Sequence, residues 1–252
     1  MEKSSNSIQV IERLARLLDV IAAHQDPVSL KILSAETGLH PSTSFRILSS
    51  LAEQGLVERT SRGNYKLGIK LMQLSSRVSA GVDIRKIALP LMEKLRDQLG
   101  ETVNLTVREG DEIVYIERSV AKRMIKVEQV IGSRAPLHVT AVGKLMLGDL
   151  GEEECRSYAK RSKLPAYTVN THTKISSLLQ DCNTALERGY SFDNEEAELG
   201  VGCIGTLIRD ASNKVAAGLS VSAPIERRKD EWIEYVKDAG MQISKQLGYH
   251  TI

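Results

Sequence analysis

The chain has 252 residues, 42% of them apolar and 26% charged, enough for one large domain or two ordinary ones with real cores. No stretch approaches the ~18 consecutive apolar residues of a membrane span, and the start, MEKSSNSIQV, lacks the basic-then-apolar pattern of a secretory leader, so a cytoplasmic protein without a membrane partner is expected. The formal charge of +2 hides an uneven distribution: residues 38–77 carry six basic groups against two acidic ones, and residues 78–252 carry 24 against 25, which implies a small polyanion-facing module beside a neutral domain.

Taken in chain order, Ile8, Ile11, Leu14, Leu17, Leu18 and Ile21 recur at helical spacing, with Ser7 or Asn6 as the cap. Asp26-Pro27 breaks that helix. Ser29 then caps a short one with Leu30, Ile32 and Leu33 inward, stopped by Gly38. Pro41 suits the first turn of a third helix, where its missing N–H costs nothing, and this helix runs to about Glu53. Leu56–Arg59 and Tyr65–Gly68 flank the turn Ser61-Arg62-Gly63-Asn64 and read as a β-hairpin. Three helices followed by a hairpin make the winged helix-turn-helix pattern. This module is assigned to residues 1–68, a linker helix to 69–82 and a second domain to 83–252.

In the second domain Ile84, Ile87, Ala88, Leu91 and Leu95 form a helix that Gly100 stops. The period then changes. Val103, Leu105 and Val107, then Ile113, Val114 and Ile116, surround Glu109-Gly110-Asp111 as a hairpin. A third strand is predicted from Met124 to Val130, a helix from about Thr140, and helices at 152–160 and 174–188. Strands return at 190–193, 202–208 and 214–222, and a final helix at 229–247 places Trp232, Val236, Ala239, Ile243 and Leu247 on one face. Strands outside and helices between give an α+β domain with a largely antiparallel sheet.

The third predicted helix carries the nucleic-acid reading. Phe45, Leu48, Leu51 and Ala52 are expected to be buried, with Ser42, Thr43, Arg46, Ser49 and Ser50 facing outward. A helix fits the major groove, and residues near its N-terminus reach base edges. Arg46 can pair with guanine O6 and N7 or hold a phosphate. Ser42, Thr43 and Ser44 can cap the helix and give hydroxyls to phosphate. Arg59, Arg62 and Lys66 supply the cations that a wing needs against the backbone or minor groove.

With Thr37-Gly38-Leu39, Ser42-Thr43-Ser44-Phe45-Arg46, Gly55-Leu56-Val57 and Tyr65-Lys66-Leu67-Gly68, the first module resembles the DNA-binding domain of the IclR family of bacterial transcriptional regulators. His138-Val139-Thr140-Ala141-Val142-Gly143-Lys144, Gly189 to Glu196, Gly200-Val201-Gly202-Cys203-Ile204 and Ser220-Val221-Ser222-Ala223-Pro224 are similar to segments of that family's second half, in the right order. One departure is Pro41, where the family often has Lys or Arg, so one backbone contact is missing. The resemblance implies a GAF-like effector-binding α/β sandwich and a small carboxylate effector held by Ala141, Val142, Asp193, Cys203, Ser220 and Ser222. It also implies a double-stranded operator, control as a repressor, and self-association as a dimer or dimer of dimers. The chemistry suits those roles. Ala141 and Val142 start a helix, whose free N–H groups attract an anion. Ser220 and Ser222 share one strand face, Cys203 is a compact, weakly polar wall, and Asp193 would accept from an effector hydroxyl. Leu71, Leu74 and Val78 of the linker helix are the candidate dimer contacts.

Other motifs carry less. Gly200-Val201-Gly202-Cys203-Ile204-Gly205 spells the dinucleotide fingerprint, but an acidic loop precedes it and a strand-like run continues it. Ser119-Val120-Ala121-Lys122 spells SxxK without a downstream KTG. Three scattered cysteines form no disulfide framework, five histidines lack ligand spacing, and ten aromatic residues are too few for stacking on single strands. No cofactor or metal is therefore expected. Two rival readings are an enzyme working on a small acid through the 193–222 cluster and a winged helix used for protein contact; Asp193, Cys203 and two serines without a histidine base are poor nucleophilic machinery.

Overall fold

The computed structural model describes residues 8–79 and 83–250, with backbone alone over 76–79. The chain divides between residues 82 and 83 into two compact units.

The first unit holds α1 (Gln9–Ala23), α2 (Leu30–Thr37), α3 (Pro41–Glu53), β1 (Val57–Arg59), β2 (Tyr65–Leu67) and α4 (Lys70–Ser79). Leu17, Ile21, Leu33, Ile47, Leu48, Leu51, Val57 and Tyr65 make its core. Ser29 Oγ accepts from the Ile32 N–H at 3.4 Å, and Gly38 ends α2 in the left-handed region at φ 68°. Ile32 itself points out, against expectation, because Leu33 and Ser34 take the inward face of this two-turn helix. Ser7 and Asn6, the expected caps of α1, lie outside the described residues. The β1–β2 hairpin pairs Val57 with Leu67, and Val28 and Tyr65 exchange two backbone hydrogen bonds of 2.8 Å that tie it to the helices.

The second unit is built on one antiparallel sheet in the order β5-β4-β3-β8-β7-β6. Its strands are β3 (Thr102–Glu109), β4 (Glu112–Ser119), β5 (Arg134–Pro136), β6 (Ser191–Asn194), β7 (Val201–Arg209) and β8 (Val215–Pro224). The alternation of side chains assigns each face. Val103, Leu105, Ile204, Ile208, Leu219 and Val221 meet α5 (Ile84–Leu99) and α9 (Trp232–Gln246). The opposite face carries Asn104, Thr106, Cys203, Gly205, Gly218, Ser220 and Ser222, in register across three strands. It lies under α6 (Ala141–Leu150), beyond which come α7 (Glu152–Ser162) and α8 (Ile175–Arg188).

The strand expected over Met124–Val130 does not form. Residues 121–133 are irregular, and Met124, Ile125 and Val130 face solvent. Side chains hold the segment in place of a ladder: Arg227 donates to the Ile125 carbonyl at 2.9 Å, and Arg118 donates to that of Gln129. The third strand of this sheet half is the shorter β5, paired to β4 through Ile113 and Ala135.

Candidate functional site

Two surfaces, one in each unit, collect the residues singled out in the sequence. In the first, α3 buries Ser44, Ile47, Leu48 and Leu51, the i, i+3, i+4, i+7 stripe of an amphipathic helix. Ser42, Arg46 and Ser50 are exposed, while Thr43 and Ser49 are half-buried. Two expectations need correction here. Ser44 is fully buried with its hydroxyl unpartnered among the described residues, so it is turned away from any phosphate. Phe45 is 45% exposed, because Ile47 fills the core position expected of it. The helix is capped by His40, whose Nδ1 accepts from the Ser42 N–H at 3.4 Å and bonds the Ser42 hydroxyl at 2.8 Å. No ion pair engages Arg46 or Arg62 among the described residues, which leaves their charges available. On the wing, Arg59 lies 5.8 Å from the Tyr65 ring centroid, and Lys66 Nζ lies 3.2 Å from Glu58 Oε1. An exposed pair of that kind is weak, so a phosphate can displace the carboxylate.

In the second unit a cavity of about 230 Å³ is lined by Ala141, Val142, Asp193, Cys203, Ser220 and Ser222 together, with Tyr115, Arg134 and Tyr167 around them. Glycines bring α6 this close to the sheet. A Cβ on Gly205 would lie 2.8 Å from Val142 Cγ1 and 3.1 Å from the Val142 nitrogen, and one on Gly218 would lie 2.7 Å from Val142 Cβ. Thr140 caps the helix, its Oγ1 accepting from the Gly143 N–H at 3.2 Å. The N–H groups of Ala141 and Val142 have no acceptor within the helix, and with the positive dipole end they favour an anion.

Below them, Cys203 Sγ and Ser222 Oγ are 3.2 Å apart, and Asn104 Nδ2 donates to Ser222 Oγ at 3.1 Å. That bond directs the Ser222 hydroxyl hydrogen toward the thiol or a ligand. Asn104 is fully buried, and its Oδ1 has no partner among the described residues. Sequence reasoning missed it; the available signal was a polar residue within an apolar strand run. Asp193 is 3% exposed and accepts from the Glu196 N–H at 2.8 Å; burial pushes its carboxyl up to about 6. Burial also raises the Cys203 thiol, with the Asp193 charge adding to it. An anionic ligand therefore meets donors, a neutral thiol and a carboxyl that can accept its own proton.

Behind this wall, Lys144 is buried with Nζ 2.6 Å from Asp181 Oδ2 and 2.7 Å from Glu196 Oε2. Burial pulls its ammonium down, but Glu196 and Asp181 outweigh that and its pKa is raised. His172 Nε2 stands 3.1 Å from Asp181 Oδ2. His172, Asp181 and Glu196 are spaced to share a cation, and the Lys144 ammonium is the cation among them. A wider groove of about 700 Å³ at the far end of α6 includes Asp149 and Arg209, which pair with each other at 2.5 Å.

Both units are similar to known proteins. The family described as "IclR helix-turn-helix domain" matches residues 10–61, and "Bacterial transcriptional regulator IclR C-terminal" matches residues 76–246. The HTH-type transcriptional regulator KipR of Bacillus subtilis (strain 168) is 33% identical over 230 residues, 90% of this chain and 92% of that protein. The crystal structure of the Agobacterium tumefaciens repressor BlcR superposes with a TM-score of 0.76 at 29% identity, covering 98% of this chain and 100% of that one. An IclR homologue from Microbacterium hydrocarbonoxydans, crystallised in complex with 4-hydroxybenzoate, shares the fold with a TM-score of 0.62 at 24% identity, covering 94% of this chain and 98% of that one.

Proposed function

The chain belongs to the IclR family of bacterial transcriptional regulators, and from that premise we propose that it is an operator-binding repressor released or retained by a small carboxylate held in the 230 Å³ cavity. The observation that carries the proposal is the convergence of a helix N-terminus, two strand hydroxyls, a thiol and a raised carboxyl on one cavity. Ala141, Val142, Ser220 and Ser222 would take the carboxylate. Asp193 and Cys203 would meet a hydroxyl or carbonyl beside it. The 4-hydroxybenzoate bound by the Microbacterium protein is an acid of that general type.

On the DNA side, Ser42, Thr43, Arg46 and Ser49 would enter the major groove, with Arg59, Arg62 and Lys66 on the backbone or minor groove. One short helix spans only a few base pairs, so paired half-sites call for a dimer. Exposed Ile8 at the N-cap of α1 and Val10 and Ile11 within it, with Met72 and Leu74 on α4, support a dimer through this unit. Leu71 is half-buried, and the Val78 side chain lies outside what the structure describes. Family likeness extends this to a dimer of dimers acting in the cytoplasm; no helix among the described residues is long and apolar enough to cross a membrane. Effector binding would favour one spacing of the paired DNA-binding units over another, and a coupling of about 1–3 kcal/mol is enough.

The cavity is read as a binding site rather than a catalytic one. No histidine lines it among the described residues, and the raised Cys203 thiol is a poor nucleophile. Isothermal titration against 2-oxo, 2-hydroxy and hydroxyaromatic acids tests the reading. Saturable binding of an acid recovered unchanged is expected, and turnover of any of them would overturn it.

A further inference from the structure

The exposed face of α3 contains one residue that its polar character does not explain. Phe45 is 45% exposed, and α3 presents no other large apolar side chain to solvent. Its neighbours on that face are Ser42 and Ser49, one turn before and after, with Arg46 beside it. An aromatic ring left in water forgoes the gain of burial, and a surface that covers it on this face would recover that gain. Protein contacts favour contiguous apolar patches, and along α3 Phe45 has only hydroxyls and a guanidinium beside it on the exposed face. The major groove offers a different match: its floor is polar except for the C5-methyl group of thymine, which an apolar side chain can cover.

We infer that Phe45 reads thymine methyl groups in the operator, beside the base or phosphate contact of Arg46. Helical side chains lean toward the N-terminus, so Phe45, in the second turn, covers the surface of the first turn, the part of a recognition helix that reaches base edges. Arg46 and Phe45 then address neighbouring base pairs, one by hydrogen bonds and the other by methyl burial. The inference rests on α3 being the recognition helix, and the test separates the two.

Duplexes selected from a random pool by the full chain are resynthesised with deoxyuridine replacing thymidine one position at a time, which removes the methyl group and leaves pairing intact. Wild-type affinity is expected to fall about three- to fivefold at one or two positions per half-site, the worth of a single buried methyl. Phe45→Ala should bind the thymidine and deoxyuridine duplexes equally at those positions, and Phe45→Leu should keep the difference. The inference is overturned if the wild type is indifferent at every position, or if Phe45→Ala keeps its sensitivity. It is also overturned if Phe45→Ala dissociates the oligomer, which would make the ring a protein contact. An Arg46→Ala variant that retained full sequence preference would instead remove α3 from the groove altogether.

Discussion

At Asp193, pH becomes a handle on both stability and binding. Its folded pKa of about 6 stands above the ordinary 3.8, with burial as the main cause. The folded state thus holds the proton more tightly than the unfolded state, and stability declines as pH rises from about 4 to about 6. Asp193→Asn keeps an acceptor for the Glu196 N–H and removes the buried charge. The variant should match wild type near pH 4 and exceed it by about 2–3 kcal/mol above pH 7, as urea unfolding at both ends of that range will show. A gap that does not change with pH would mean Asp193 is ordinary. The same scale shows where sequence reading fell short. Two stripes one residue apart both look amphipathic on α3, and a stripe that counts Phe45 as core weighs more heavily than one that counts Ser44. Ile47 joins Leu17 and Leu33 in the core, and Ser44 is buried on the same face of α3, a tertiary fact that no single helix encodes. Asn104 was passed over for a related reason: strand alternation marks a polar residue as solvent-facing, whereas β3 is covered on both sides at that point.

Among the elements, α6 and its glycine bed are the part that the sequence made most legible. Thr140 before an apolar run signals a cap, and the even-numbered Gly218, Ser220 and Ser222 on β8 stand out against Ala217, Leu219 and Val221. The family resemblance then singled out residues that the fold gathers around one cavity. Gly205 and Gly218 were not foreseen, since their role is the space they leave for Val142. Gly205→Ala should push the α6 N-terminus off the sheet and cost about 1–3 kcal/mol from overpacking, with a larger loss in acid binding than in DNA binding. Calorimetry of the variant with a ligand of the wild type checks this, and unchanged affinity would contradict the packing argument. The strand expected over Met124–Val130 does not form. Apolar Met124-Ile125 and Val130-Ile131 suggest β propensity, but long side-chain anchors from Arg118 and Arg227 hold the segment as a loop.

For the whole molecule, the uneven charge and the winged-helix pattern point to a two-part organisation, and on the proposed function paired half-sites call for a dimer. Leu74→Asp or Met72→Asp on the exposed face of α4 should shift the chain toward monomer in analytical ultracentrifugation and weaken operator binding in parallel. Dimers that persist with full DNA affinity would place the interface elsewhere. The most direct test of the account is the ratio of affinities for a selected duplex and its shuffled counterpart, measured by fluorescence anisotropy at fixed salt. Wild type should prefer the selected duplex by about 10³-fold or more, and Arg46→Ala should lower that preference by the equivalent of about 1–3 kcal/mol. An Arg46→Ala chain with undiminished affinity and preference would contradict the assignment of α3 to the DNA.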